Sequence, residues 1–143
     1  MKTKILKTRN FLLFTAILFS ICSITSCAKK MTFATSRIAP SAQGRVKIKK
    51  DKNGNYAINL KVTHLADPKR LDPPRKTYIA WMETVRNGTK NIGNLNTSSG
   101  LFSKTLKSSL STVSPYKPVG FFITAENAES ITYPNGEVVL RTE

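Results

Sequence analysis

Apolar and polar residues alternate along the middle of the chain. Val46 and Ile48 alternate with Arg45, Lys47 and Lys49, and Tyr56, Ile58, Leu60 and Val62 alternate with Ala57, Asn59 and Lys61. A period of two marks a strand with one buried face. Asn53-Gly54 lies between the two runs and predicts a hairpin. A two-residue loop would pair Lys49 with Ile58 and put a charge on the apolar face. A three-residue loop of Lys52, Asn53 and Gly54 pairs Ile48 with Ile58 and Val46 with Leu60. Gly54 then takes the left-handed position of a turn-plus-bulge loop. The second register keeps both apolar sets on one face and is the expected one.

Further strands are expected at 77–85, 91–95, 101–106, 119–126 and 137–141. Gly or Pro punctuates most of the gaps: Asn87-Gly88, Gly100, Pro115, Pro118 and Pro134-Asn135-Gly136. Residues 97–114 are crowded with Ser and Thr, but interleaved leucines make them strand and loop. Seven short strands predict an all-β domain over residues 44–143, an antiparallel immunoglobulin-like β-sandwich. A small barrel is the alternative. Trp81 is expected as the central core residue of the third strand, with Phe121, Ile123, Leu60 and Val138 as neighbours. The longest polar connection is 66–76, with Pro68, Pro73 and Pro74.

The start of the chain follows another pattern. Lys2, Lys4, Lys7 and Arg9 precede an apolar run over residues 11–24. A spanning helix needs about 20 apolar residues, so this run is short for a permanent span. Its length suits the core of a cleavable signal. Ile24-Thr25-Ser26-Cys27 then resembles a lipobox, with small residues in the two positions before the cysteine. Residues 1–26 are therefore expected to be a lipoprotein signal peptide, and Cys27 the lipidated first residue of the mature protein. An uncleaved signal anchor is the alternative. Residues 27–43 (with Lys29, Lys30 and many small residues) read as lipidated Cys and flexible tether, on which Phe33 and Ile38 dock to the domain. By resemblance to bacterial sorting rules, the lack of Asp after Cys27 and of an acidic cluster points to an outer-membrane anchor facing the periplasm.

Charge sharpens this picture. The whole chain carries +15, from 23 Lys and Arg against eight acids. The leader holds four of the cations and no acid, so the mature chain keeps 19 against eight. In the expected hairpin register Arg45, Lys47 and Lys49 face outward beside Lys61, with Arg45 opposite Lys61. Opposed like charges on a sheet are mildly unfavourable, and a nearby anion relieves them. Lys69, Arg70, Arg75 and Lys76 form a second basic group in the 66–76 loop. These eight residues are the candidate contacts for an acidic surface, such as phospholipid headgroups or an anionic polymer. A solubilising lysine-rich surface is the alternative. No aromatic platform interleaves with them, which argues against nucleic acid.

Catalytic chemistry is not expected. His64 is the single histidine, and neither cysteine remains available as a ligand once Cys22 leaves with the signal and Cys27 is acylated. A metal site needs several such groups, so neither metal nor other cofactor is expected. Glu126 and Glu129 form the one close acidic pair outside the long loop and read as loop polarity. There is no Gly-x-Ser-x-Gly and no glycine-rich phosphate loop.

The order Gly44, Tyr78-x-x-Trp81, Ile92-Gly93-x-Leu95, Phe121-Phe122-Ile123-Thr124-Ala125-Glu126 and Pro134-x-Gly136-x-Val138-x-Leu140 resembles the extracytoplasmic β-sandwich domain of anti-sigma-K-type factors. It is also similar to small envelope lipoproteins of Bacteroidetes type. The resemblance implies the fold and a life in the envelope. The sigma-binding domain, its His/Cys pattern and the spanning helix have no counterpart here, so no functional residue carries over. The expected function is a lipid-anchored, non-enzymatic binding module for an envelope protein or anionic polymer. The alternative is a structural or stress-response envelope lipoprotein with no dedicated ligand.

Overall fold

The computed structural model describes residues 28–95, 98–99 and 106–143. The expected signal peptide, Cys27 and most of the expected 101–106 strand lie outside the described residues.

Nine strands occur among them: β1 (Lys29–Thr32), β2 (Gln43–Lys50), β3 (Tyr56–Thr63), β4 (Thr77–Thr84), β5 (Thr89–Leu95), β6 (Ser98–Ser99), β7 (Leu106–Ser114), β8 (Pro118–Glu126) and β9 (Glu137–Arg141). They form two antiparallel sheets, ordered β1-β2-β3-β7-β6 and β5-β4-β8-β9. Without β1, this is the immunoglobulin-like order with β5 as an extra strand on the second sheet. Val46, Ile58, Leu60 and Val62 of the first sheet share one buried cluster with Tyr78, Ala80, Met82, Phe121 and Ile123 of the second. Each Val, Leu, Ile, Met or Phe side chain among them contributes about 1.5–3 kcal/mol when fully buried.

The β2–β3 hairpin has the expected register, with Ile48 opposite Ile58 and Val46 opposite Leu60. Asp51 organises its turn. One carboxylate oxygen accepts the N–H groups of Asn53 and Asn55, each at 2.8 Å. Gly54 has φ 86°, a left-handed conformation that costs glycine no Cβ clash.

Three expectations need correction. The stretch 28–43 is not a free tether. Lys29–Thr32 is a strand on the edge of the first sheet, with Lys30 opposite Lys47 and Thr32 opposite Arg45. The chain then bridges to the other sheet, with the Ala34 N–H donating to the Arg141 carbonyl at 2.9 Å. Phe33 packs against the core beside Gly44, where a Cβ would stand 2.5 Å from the ring. Ser36 caps the turn that follows, accepting the N–H groups of Ile38 and Ala39 at 3.1 and 2.9 Å. The main chain, not an apolar period, holds this segment in place.

The second correction is β7, a nine-residue strand where a mixture of strand and loop was expected. Its inward positions are Ser108, Leu110, Thr112 and Ser114, so hydroxyls share the face that usually carries the apolar signal.

The third concerns Trp81. It is fully buried, but not between the sheets. It lies with Ile79, Phe122 and Ile131 on the outer side of β4 and β8, whereas Phe121, Ile123 and Leu60 belong to the inner core and Val138 is partly exposed. The loop between β8 and β9 covers this second cluster. Asn91 donates its side-chain N–H to the Ile131 carbonyl at 2.9 Å. The indole N–H donates to Thr124 Oγ1 at 2.8 Å, and the Thr124 hydroxyl donates to Glu126 Oε1 at 2.6 Å. Glu126 Oε1 also accepts the Asn135 N–H at 3.1 Å. Every buried polar atom of that chain has a partner, as burial requires.

Candidate anion-binding face

The register of the first sheet decides where its charges go. Residues directly opposite on neighbouring strands point to the same side. One row across the sheet is Lys30, Lys47, Asn59 and Ser111. The next is Thr32, Arg45, Lys61 and Ser109. Lys49 lies on the same side above them, and Lys107 lies below, opposite Thr63. All six cations are exposed. None of the strands β1, β2, β3, β6 and β7 contains an Asp or Glu. Like charges stand directly opposed twice, Lys30 against Lys47 and Arg45 against Lys61.

The structure thus brings Arg45, Lys47, Lys49 and Lys61 together and adds Lys30 and Lys107. The sequence carries no signal for the added pair, because β1 and β7 lack the clean apolar alternation that marks β2 and β3. Lys69, Arg70, Arg75 and Lys76 are elsewhere, in the crossover between the sheets. Asp67 caps a short 3-10 turn there, its carboxylate accepting the Lys69 N–H at 3.0 Å. Asp67 and Asp72 offset half of the loop's positive charge, so it is not the equal of the sheet face.

A groove of about 490 Å³ opens at the Arg45 end of the face. Arg45 and Lys61 line it together with Thr32, Gln43 and Thr63, and Phe33 contributes an aromatic side. The capped segment after Phe33 closes one flank through Thr35, Pro40 and Ala42. Among the described residues the one ion pair is Arg141 with Glu83, at 2.6 Å on the other sheet.

The groups considered for catalysis are dispersed in role. His64 is exposed at the end of β3 with φ 58°. Glu126 is buried and held by Thr124 and Asn135, and Glu129 is exposed in the covering loop. No group of three or more His, Cys, Asp or Glu that could hold a metal occurs among the described residues. Tyr78 is the one strongly shifted group described. Burial pushes its hydroxyl from 10.0 to about 12, and the negative charge of Asp67 adds to the rise. That hydroxyl is buried in the core without a hydrogen-bond partner. No helix among the described residues is long and apolar enough to cross a membrane.

Comparison with family models, curated proteins and solved structures finds no match to this chain.

Proposed function

We propose that the protein is a lipid-anchored, non-enzymatic binding module of the cell envelope. Cys27 would carry the lipid, on the periplasm-facing side of an outer membrane. The outer face of β1, β2, β3 and β7 would engage an anionic partner, an envelope protein or an anionic polymer. The observation that carries this reading is the six exposed cations on a sheet whose strands hold no acid. Holding Lys30 against Lys47 and Arg45 against Lys61 costs the isolated fold a little stability. A bound anion removes that cost and turns the repulsion into attraction. The resemblance to the extracytoplasmic domain of anti-sigma-K-type factors supports the envelope location and supplies no site residue.

Binding of the full chain, in a non-ionic detergent, to immobilised dextran sulfate tests the reading. Retention is expected at low salt and loss at high salt, because exposed charge pairs are screened within about 8–10 Å at 0.1–0.15 M. A chain that does not bind at low salt, or binds without salt dependence, leaves the face a solubilising surface. Mass spectrometry of the membrane-extracted protein tests the anchor separately. An unacylated Cys27 behind an intact leader refutes the anchor.

A further inference from the structure

We propose that the groove at Arg45 and Lys61 is the recognition site of this face, and that it takes one oxyanion group, a phosphate or a carboxylate, presented on a small ligand or polymer unit. The proposal rests on the basic-face reading and narrows it to a place.

Charge alone does not single out the groove, since Lys30 and Lys47 are opposed in the same way. What distinguishes it is the combination of charge type, hydroxyls and shape. Arg45 is the one arginine in the strands of this sheet. A guanidinium presents two parallel N–H groups that match the two oxygens of a phosphate or carboxylate, whereas an ammonium acts as a point charge. Lys61 directly opposite supplies that second, adjustable charge. Thr32 stands opposite Arg45 on its other side, and Thr63 and Gln43 stand opposite each other in the next row. These add short polar groups around the same space. The Thr63 hydroxyl donates to the Gln43 carbonyl at 3.4 Å, so it faces the body of a ligand as an acceptor and not the anion itself.

The walls are built rather than loose. Ala39 and Ala42 are buried, the Ala42 N–H donates to the Ala39 carbonyl at 2.9 Å, and Ser36 caps the same turn. Gly44 admits Phe33 at the base, because any side chain there would meet the ring. The volume of about 490 Å³ falls in the usual range for a small-molecule site, roughly 300–1,000 Å³. Such a space is open to solvent and leaves room for a larger unit beside one anion. Glu143 reaches the β1 edge, its N–H donating to the Thr32 carbonyl at 3.2 Å, but its carboxylate makes no ion pair with Arg45 or Lys61.

The test is a titration of the ¹⁵N-labelled full chain in non-ionic detergent with inorganic phosphate and with glucuronate, at low ionic strength. Saturable shifts are expected at the amides of Thr32, Gln43, Gly44 and Thr63. Arg45→Gln or Lys61→Gln is expected to weaken both ligands about tenfold or more, the range for a hydrogen bond to a charged group. Lys49→Gln, outside the groove, is expected to change them by less than about twofold, as an exposed distant charge does. These three side chains are exposed, so the variants keep the fold. Equal weakening by all three would overturn the groove and leave the basic face standing. No saturable shift with any anion, while dextran sulfate still binds, would overturn it as well. Competition against phosphate then identifies the source. Displacement by phosphatidylglycerol in mixed micelles with the same detergent alone supports a headgroup, and displacement by polyphosphate alone supports a polymer carrying the same group.

Discussion

The outer side of the β4–β8 sheet holds an indole, a phenyl ring and Ile79 beneath a loop that contributes Ile131, whereas the outer side of the β2–β3 sheet holds six cations in solvent. Both are outward faces of one sandwich, and both depend on the same two-residue alternation. The strands of the first sheet are buried on one side, so their outer positions are free to vary without loss of core. The central strands β4 and β8 of the second are buried on both sides over most of their length, and β4 runs from Thr77 to Met82 without an exposed residue. An extra layer of packing fixes the second face structurally. The first face carries opposed charges that no fold requires, and that freedom is where a binding function has room.

The comparison is broken most directly at Trp81. Trp81→Ala is expected to destabilise the protein by about 3–5 kcal/mol, the range for an aromatic removed from a packed site. It also leaves Thr124 without its indole donor. Urea unfolding measures the loss, and binding to dextran sulfate per folded molecule is expected to stay unchanged. A cost below about 1 kcal/mol would mean that the loop does not form a second core.

Tyr78 lies on the inner side of the same strand and tests the core between the sheets. Its pKa is raised to about 12, so the folded protein keeps a proton that the unfolded chain loses near 10. Its contribution is complete below pH 10 and is lost as the pH rises toward 12, an effect on the order of 2–3 kcal/mol at most. Tyr78→Phe is expected to flatten stability over that window relative to the parent. It costs little at pH 7, because the hydroxyl has no partner to lose.

Asn91→Ala removes the hydrogen bond to the Ile131 carbonyl and the one that Asn91 Oδ1 accepts from the Gly93 N–H, and is expected to cost about 0.5–1.5 kcal/mol for each. Faster amide exchange in the covering loop and at Gly93 would locate that cost. The smallest effect has the opposite sign. Lys47→Glu converts the opposed pair with Lys30 into an attractive one and is expected to add about 0.2–1 kcal/mol to stability. The same change is expected to weaken binding to dextran sulfate. A variant that gains stability and loses binding separates the two roles of the face; one that loses both refutes the idea that repulsion is retained for a ligand.

What the chain reveals before folding follows the same division. The β2–β3 register was legible because both strands alternate cleanly and Asn53-Gly54 fixes the turn. Four of the eight candidate contacts follow from that register, since an outward position needs only the period and the pairing. Strand β1 was not legible: its one half-buried residue is Met31, and its order comes from main-chain pairing and from Phe33 beside Gly44. The direction of Trp81 was hidden because a strand apolar on both faces has no alternation to read. The groove was hidden with β1, since one of its flanks is the segment taken for a tether.

If Cys27 carries a lipid as proposed, strand β1 also sets how far the domain travels from the membrane. Sixteen residues of loose coil, the length of 28–43, would give a mooring line of roughly 20–24 Å root-mean-square. Ordered chain from Lys29 leaves two links below it, at most about 7 Å of slack from Cys27. With a lipid on Cys27, the sandwich would rock on its edge rather than swing. Lys29 and Lys30 would stay at the headgroup level, and Arg45 would stand three strand positions farther out, about 10 Å along β1. The groove would then sample a thin shell just above the bilayer, and anything it captures would have to come to that shell.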